Sequence, residues 1–396
     1  MQSSLDNVQN HFSNGEFETA SKDFADNKAI KDQNNLQLLI TGTALFHENK
    51  FAESDSAFEE FNRRNLDETG SSFSREVSGV LFGQTVSSYK PYMMDSLFVS
   101  YYQIWDLLAL GKFDDARVVI NQSYARQQKM SIEYKKLIEE NKKQIAEKNE
   151  YKEIIDNNTG DWLAFTDIMN PALMYLSGIY FLNTGDFDNA TTYLKRANGM
   201  MPENTFIKQD LQLAQQHIHP KNTTWEFIET GFAPRLEEKN LTLFLPGAGV
   251  INFAISEPRF KQNTIKPKSS QILTNVDALF ATEYNEYRIN EILRSYISAA
   301  SKAVLQTAMY NSKSDHAPLL GLMTSVYAIS SSNADVRTWA TLPKNIYVNR
   351  FENSKTNLND EYLDDNIKNE INQGGNNLIY IRYNNDIIDR KIIKLK

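Results

Sequence analysis

The chain reads as a multidomain protein, an all-α array of helical hairpins followed by an α+β domain. Three observations carry that reading. One motif recurs four times: Gly15-Glu16-Phe17 with Ala20, Asn49-Lys50-Phe51 with Ser54, Gly111-Lys112-Phe113 with Ala116, and Gly185-Asp186-Phe187 with Ala190. The first two copies stand 34 residues apart. The helical pattern then fades near His217-Ile218-His219-Pro220, and short strand-like runs separated by Gly and Pro follow.

Each motif holds what an elbow between two antiparallel helices needs. The Gly or Asn takes the turn, the Phe plugs the groove, and the small residue lets the helices approach. A 34-residue period is that of tetratricopeptide (TPR) repeats. In the fourth copy, Phe181, Gly185, Phe187, Ala190, Ala197 and Pro202 follow Gly178 at the TPR consensus spacings, and Pro202 ends the second helix. Gly42, Leu45, Asn49, Phe51, Ser54 and Phe58 keep the same register more loosely. The first and third copies carry Val8 and Ile104 where the helix-contact glycine would stand, and atypical units are common in repeat arrays. Residues 1–220 thus read as TPR-like helical repeats. The elbows are 62 residues apart between the second and third copies and 74 between the third and fourth, so both gaps hold inserts. The second insert contains a long Glu/Lys-rich helix at about 127–155, whose mixed charges suit solvent. It is either an extended second helix of the third hairpin or a protruding arm that docks a partner.

Residues 221–396 read as the α+β part. Strands are expected at 225–229, 241–245 and 250–255, and again at 346–351, 378–383 and 387–393. A helix at about 284–310 carries Ile289, Ile292, Leu293, Tyr296 and Ile297 on one face. The apolar stretch after Pro318 is too short to span a bilayer and reads as a buried helix. The polar segment at about 353–375 reads as a mobile loop.

Composition excludes several functions. Net charge is −8 without a basic block, which argues against nucleic acid as a partner. Cysteine is absent, so disulfides, thiolate metal sites and a thiol nucleophile are excluded. Of five His only His217 and His219 are close, and no HExxH occurs, so no metal and no other cofactor is expected. Gly247-Ala248-Gly249 lacks the Lys and third Gly of a phosphate loop and reads as a strand turn. No GxSxG elbow, triad or carboxylate pair stands out, and an enzyme is not expected. There is no run of 18 apolar residues, and Met1-Gln2-Ser3-Ser4 opens no signal core.

Candidate contact residues fall into two sets. In a TPR array the first helix of each hairpin lines the groove, which points to Tyr101, Gln103 and the stretch from Asn170 to Tyr175. The second set lies in Glu229-Thr230-Gly231-Phe232-Ala233-Pro234-Arg235 and in Asp335-Val336-Arg337-Thr338-Trp339. The first stretch is followed by Glu237 and Glu238. A carboxylate two residues from an Arg can fix a turn by ion pairing, or the Arg can fork onto a charged ligand. Glu229, Arg235, Asp335, Arg337 and Trp339 are the partner-binding candidates there.

The segments Asp161-Trp162 to Asn170-Pro171, Tyr175-Leu176-Ser177-Gly178, Gly185-Asp186-Phe187-Asp188-Asn189-Ala190 and Lys208-Gln209-Asp210-Leu211 are similar to a family of bacterial cell-envelope proteins. So are Glu229 to Pro234 and Ala334 to Pro343. That family, typically lipoproteins, has TPR-like repeats before a C-terminal domain of recurrent pattern, and no reaction is assigned to it. The resemblance implies a periplasm-facing address with outer-membrane anchoring, and a scaffold or adaptor binding protein or peptide partners. The lipid-bearing Cys expected at the mature N-terminus is missing here. The anchored reading holds if Met1 stands in its place, and a cytosolic TPR adaptor is the alternative if Met1 is the true start. Another alternative is a cell-wall-active enzyme using Glu229, Glu237 or Asp335, which requires two of these to share a cleft.

Overall fold

Each of the four motifs sits at a helix–helix elbow. In a computed structural model, which describes residues 2–65, 89–147, 152, 155–156, 168–245, 249–260, 266–311, 334–353, 363–384 and 386–395, the Phe of every copy starts the second helix. The pairs are α1 (Gln2–Ser13) with α2 (Phe17–Phe24), α3 (Asn35–His47) with α4 (Phe51–Asn65), α5 (Met93–Ala109) with α6 (Phe113–Glu147), and α7 (Pro171–Thr184) with α8 (Phe187–Met200). The turn residue takes left-handed backbone, with φ of 78° at Gly185 and 62° at Asn49. Glycine enters that region without strain, and Asn tolerates it best among residues with side chains.

Glycines set how closely two of these pairs approach. A Cβ on Gly178 would lie 2.7 Å from Cγ of Leu194, and one on Gly42 would lie 2.6 Å from the Phe58 ring. Ser54 adds a hydrogen bond across the second elbow, from Oγ to the Gly42 carbonyl at 3.0 Å. Gly178→Ala is therefore expected to destabilise the protein by about 1–2 kcal/mol: overpacking a filled site outweighs the helix propensity that Ala gains. Leu194→Val in the same chain should recover part of that loss in urea unfolding.

Helix α6 is one continuous helix of 35 residues, about 50 Å long at the usual rise. The Glu/Lys-rich stretch is its second half, so the extended-helix reading applies to the described part. That half is not solvated on every side, because Tyr134, Leu137 and Asn141 are buried. The Tyr134 hydroxyl donates to the Thr282 carbonyl at 2.9 Å, and Asn141 Nδ2 donates to Glu286 Oε2 at 2.7 Å.

After α9 (Thr205–Gln215) the chain enters β1 (Thr223–Thr230), the hairpin of β2 (Arg235–Leu245) and β3 (Gly249–Arg259), and β4 (Gln271–Asn275). Then come α10 (Val276–Asn311), β5 (Asn345–Glu352), α11 (Asp365–Asn372), β6 (Asn377–Tyr383) and β7 (Ile387–Lys394). Five strands form one sheet in the order β4-β5-β1-β6-β7, with β1 and β6 parallel and the other neighbours antiparallel. β2 and β3 form a separate ribbon that packs on α10 through Phe253, Ile255, Ile292, Leu293 and Tyr296. The protein thus mixes helix and sheet: eleven α-helices among the described residues, a five-stranded mixed sheet and a two-stranded one.

Three differences from the sequence reading stand out. β4 was not expected: only Leu273 and Thr274 of its five residues are buried, too few for a visible alternation. Helix α10 begins at Val276, eight residues before the Tyr284 expected to open it. Part of the polar segment expected as a mobile loop is α11, started by Asp364, whose side chain accepts from the Ile367 N–H at 2.8 Å. Ile367 and Ile371, one turn apart, bury that helix on Ile228, Ile379 and Ile381. Residues 318–329, where a buried helix was expected, lie outside the described residues, as do 354–362 and the Asp161-Trp162 segment.

The other face of the sheet meets the helices. Side chains alternate along a strand, so Trp225, Phe227 and Glu229 of β1 share one face with Leu378, Tyr380 and Arg382, their partners on β6. Trp105 of α5 meets the Phe227 ring at 5.4 Å and the Tyr380 ring at 5.6 Å. Tyr175 of α7 meets Phe227 at 5.9 Å. One apolar core consequently runs through both parts, from Leu5 to Ile393.

Candidate functional site

The helix–sheet interface is where the predicted residues gather. Glu229 and Arg382 face each other across β1 and β6, both side chains fully buried, with Nη1 3.1 Å from Oε2. The same oxygen accepts from the hydroxyls of Tyr380 at 2.7 Å and Tyr102 at 3.0 Å. Arg382 Nη2 donates onward to the carbonyls of Gly231 at 2.8 Å and Thr341 at 3.3 Å. Burial pushes the Glu229 carboxyl above its usual range, and Arg382 with the two hydroxyls opposes that. The Tyr101 hydroxyl lies beside Glu229 and Trp105 but outside hydrogen-bond geometry.

The segment leading into β5 fills the rest of the interface. Trp339, 2% exposed, packs beside the stacked rings of Phe58 and Tyr102, 6.1 Å from each, and its Nε1 donates to Thr43 Oγ1 at 3.0 Å. Gln9 of α1 donates to the Ala340 carbonyl at 2.6 Å, and the Ala233 N–H donates to the Leu342 carbonyl at 2.8 Å. Residues 339–342 are therefore held by α1, α3, α4, α5 and the β1–β2 turn together.

The nine candidates separate by position. Tyr101, Glu229 and Trp339 come together in this interface. Tyr175 is buried next to it, its hydroxyl 2.6 Å from Asp210 Oδ2, which also accepts from Trp225 Nε1 at 2.7 Å. Gln103 is buried against α4, bonded to Asp55 and Asn62 at 2.9 and 2.8 Å. Asn170 is the N-cap of α7, its Oδ1 accepting from the Ala172 N–H at 3.0 Å. All six are buried, because the sheet, the Trp339 segment and neighbouring helices cover the inner helix faces expected to form an open groove.

The other three are less enclosed: the Asp335 side chain is 40% exposed, that of Arg235 21% and that of Arg337 11%. Arg235 pairs with Asp6 of α1, while Glu237, two residues on, pairs with Arg259 across the ribbon. Asp335 and Arg337 do form the predicted corner, with Nε and Nη2 both 2.7 Å from the carboxylate oxygens. Glu238 of β2 accepts from the neighbouring Ala334 N–H at 3.2 Å, which joins this corner to the ribbon. The three carboxylates considered for acid–base chemistry do not meet: Glu229 is held by Arg382, Glu237 by Arg259 at 2.7 Å, and Asp335 by Arg337.

No protein-family profile, curated protein or solved structure matches this chain. Among the described residues, no group of three or more His, Asp or Glu could hold a metal ion, and no helix is long and apolar enough to cross a membrane.

Sequence reasoning missed Tyr102, Tyr380 and Arg382. A signal existed: Trp225-Phe227-Glu229 and Leu378-Tyr380-Arg382 each place two apolar residues and then one charge at period 2, with opposite signs on the two strands.

Proposed function

We propose that this chain is a scaffold or adaptor of the bacterial cell envelope that binds a protein or peptide partner, with its helical pairs forming a TPR-like array. The observation that carries this is the repeated elbow, with a left-handed turn residue and a Phe opening the next helix in all four pairs. The close packing of Gly178 on Leu194 and Gly42 on Phe58 supports it further. The envelope address and the lipid anchor rest on the sequence resemblance.

The inner helix faces are occupied within the chain, so the partner surface assigned here is the Asp335–Arg337 corner with Arg235 and Glu238. In-cell crosslinking of the full native gene product, followed by membrane fractionation and mass spectrometry, tests the reading. Recovery with the outer membrane and a few defined envelope proteins is the expected result, and Arg337→Glu in a still-folded protein should reduce that capture severalfold. A soluble, uncrosslinked protein would overturn the scaffold reading. Unchanged capture by Arg337→Glu would remove this surface from it.

A further inference from the structure

His47 closes α3 with its side chain fully buried, and Nδ1 stands 2.8 Å from Asp389 Oδ2 on β7. A neutral ring donates from Nδ1 there, which leaves Nε2 as the lone-pair nitrogen, and Nε2 has no hydrogen-bond partner. The ring stacks on Phe17 of α2 at 4.6 Å and meets Phe12 of α1 edge-on at 5.8 Å. Asp389 also accepts from Lys391 Nζ at 2.6 Å, and Lys391 reaches Asn49 Oδ1 at 2.9 Å in the α3–α4 elbow. His47, Asp389 and Lys391 thus fasten the last strand to the second helical pair. Among the described residues, Arg382 and Tyr380 on β6 also face His47, and Asp106 on α5 faces Lys391.

We propose that His47 is an acid-sensitive latch: its neutral ring holds β7 and the α1–α2 pair closed on α3, and protonation releases them. An imidazolium here would place a second N–H among aromatic rings with no acceptor. It would face two cations, Lys391 and Arg382, while its one carboxylate already serves Lys391. The inference does not depend on the partner reading. Burial is the largest cause bringing the imidazole from its usual 6.5 to about 4, and Asp389 opposes it. The closed state thus binds fewer protons than the open state between these values, so its stability is complete above pH 6.5 and falls as pH drops toward 4. Asp106 has the opposite sign, since burial raises its carboxyl and acid favours its closed form.

Amide hydrogen exchange of the full chain at pH 7.5 and pH 5.0, corrected for intrinsic rates, tests the latch. Exposure of residues 387–394 and of α1–α2 should rise about 30-fold at pH 5.0, more than any change in α7–α9. His47→Gln should remove that difference. Equal protection at both pH values, a uniform rise over all elements, or an undiminished rise in His47→Gln would each overturn the proposal. Should His47→Gln fail to fold, exchange of the imidazole C2 hydrogens in the wild-type chain gives the titration directly. A His47 midpoint well below 6.5 is expected there, and one at 6.5 or above would overturn the proposal.

Discussion

Arg382→Met is expected to destabilise the protein by about 3–5 kcal/mol at pH 8, the usual cost of stranding one partner of a buried ion pair. Glu229 is wholly buried, and its remaining partners are the Tyr102 and Tyr380 hydroxyls. Its escape is to take up a proton. Without Arg382 the folded-state carboxyl moves further above its unfolded value, so the deficit is largest at pH 8 and shrinks as pH falls toward 4.5. Glu229→Gln should cost less: its carbonyl still accepts from both tyrosines, and Arg382 keeps the Gly231 and Thr341 carbonyls. The double variant Glu229→Leu with Arg382→Met removes both charges and should be more stable than Arg382→Met alone, giving a large coupling energy in a double-mutant cycle. Urea unfolding of the wild type, Arg382→Met, Glu229→Gln, Glu229→Leu and the double variant at pH 8 and pH 5.5 checks all of this, with the two single variants Glu229→Leu and Arg382→Met closing the cycle. A loss under 1 kcal/mol for Arg382→Met, or no pH dependence of that loss, would show that water or a rearranged side chain reaches Glu229.

What was legible in the sequence was local. An elbow is a matter of a few adjacent residues, so Gly15, Asn49, Gly111 and Gly185 marked the turns and the Phe two positions on marked the next helix start. The strands at β1, β5, β6 and β7 were visible for the same reason: each is a short apolar run bounded by turn residues. α11 was hidden because its two buried residues, Ile367 and Ile371, sit in an otherwise polar octet. Pairing across the chain left no local trace. Glu229 and Arg382 are separated by 153 positions, Thr43 and Trp339 by 296, and His47 and Asp389 by 342. Choosing those partners requires the strand order, which no single segment encodes. The same limit explains the groove: Tyr101 and Tyr175 do lie on inward helix faces, but what those faces meet is decided by a sheet that begins only at Thr223.

Trp339→Ala is expected to cost about 3–5 kcal/mol, as large-to-small changes at filled aromatic sites do. The indole packs where the second and third helical pairs meet, against the stacked rings of Phe58 of α4 and Tyr102 of α5, while bonded to Thr43 of α3. Its loss opens a cavity lined by side chains that cannot easily collapse, because Tyr102 is tied to Glu229 and Phe58 is pressed on Gly42. Trp339→Phe should keep most of the packing and lose the Thr43 bond, costing about 1–2 kcal/mol. Free indole separates cavity from bond: if the hole keeps its shape, indole should bind it and raise the melting temperature of Trp339→Ala but not of the wild-type protein. A small loss in Trp339→Ala, with residues 334–344 no less protected in hydrogen exchange, would mean that Gln9, Ala233 and Arg382 hold this segment through its backbone and that the indole only fills space.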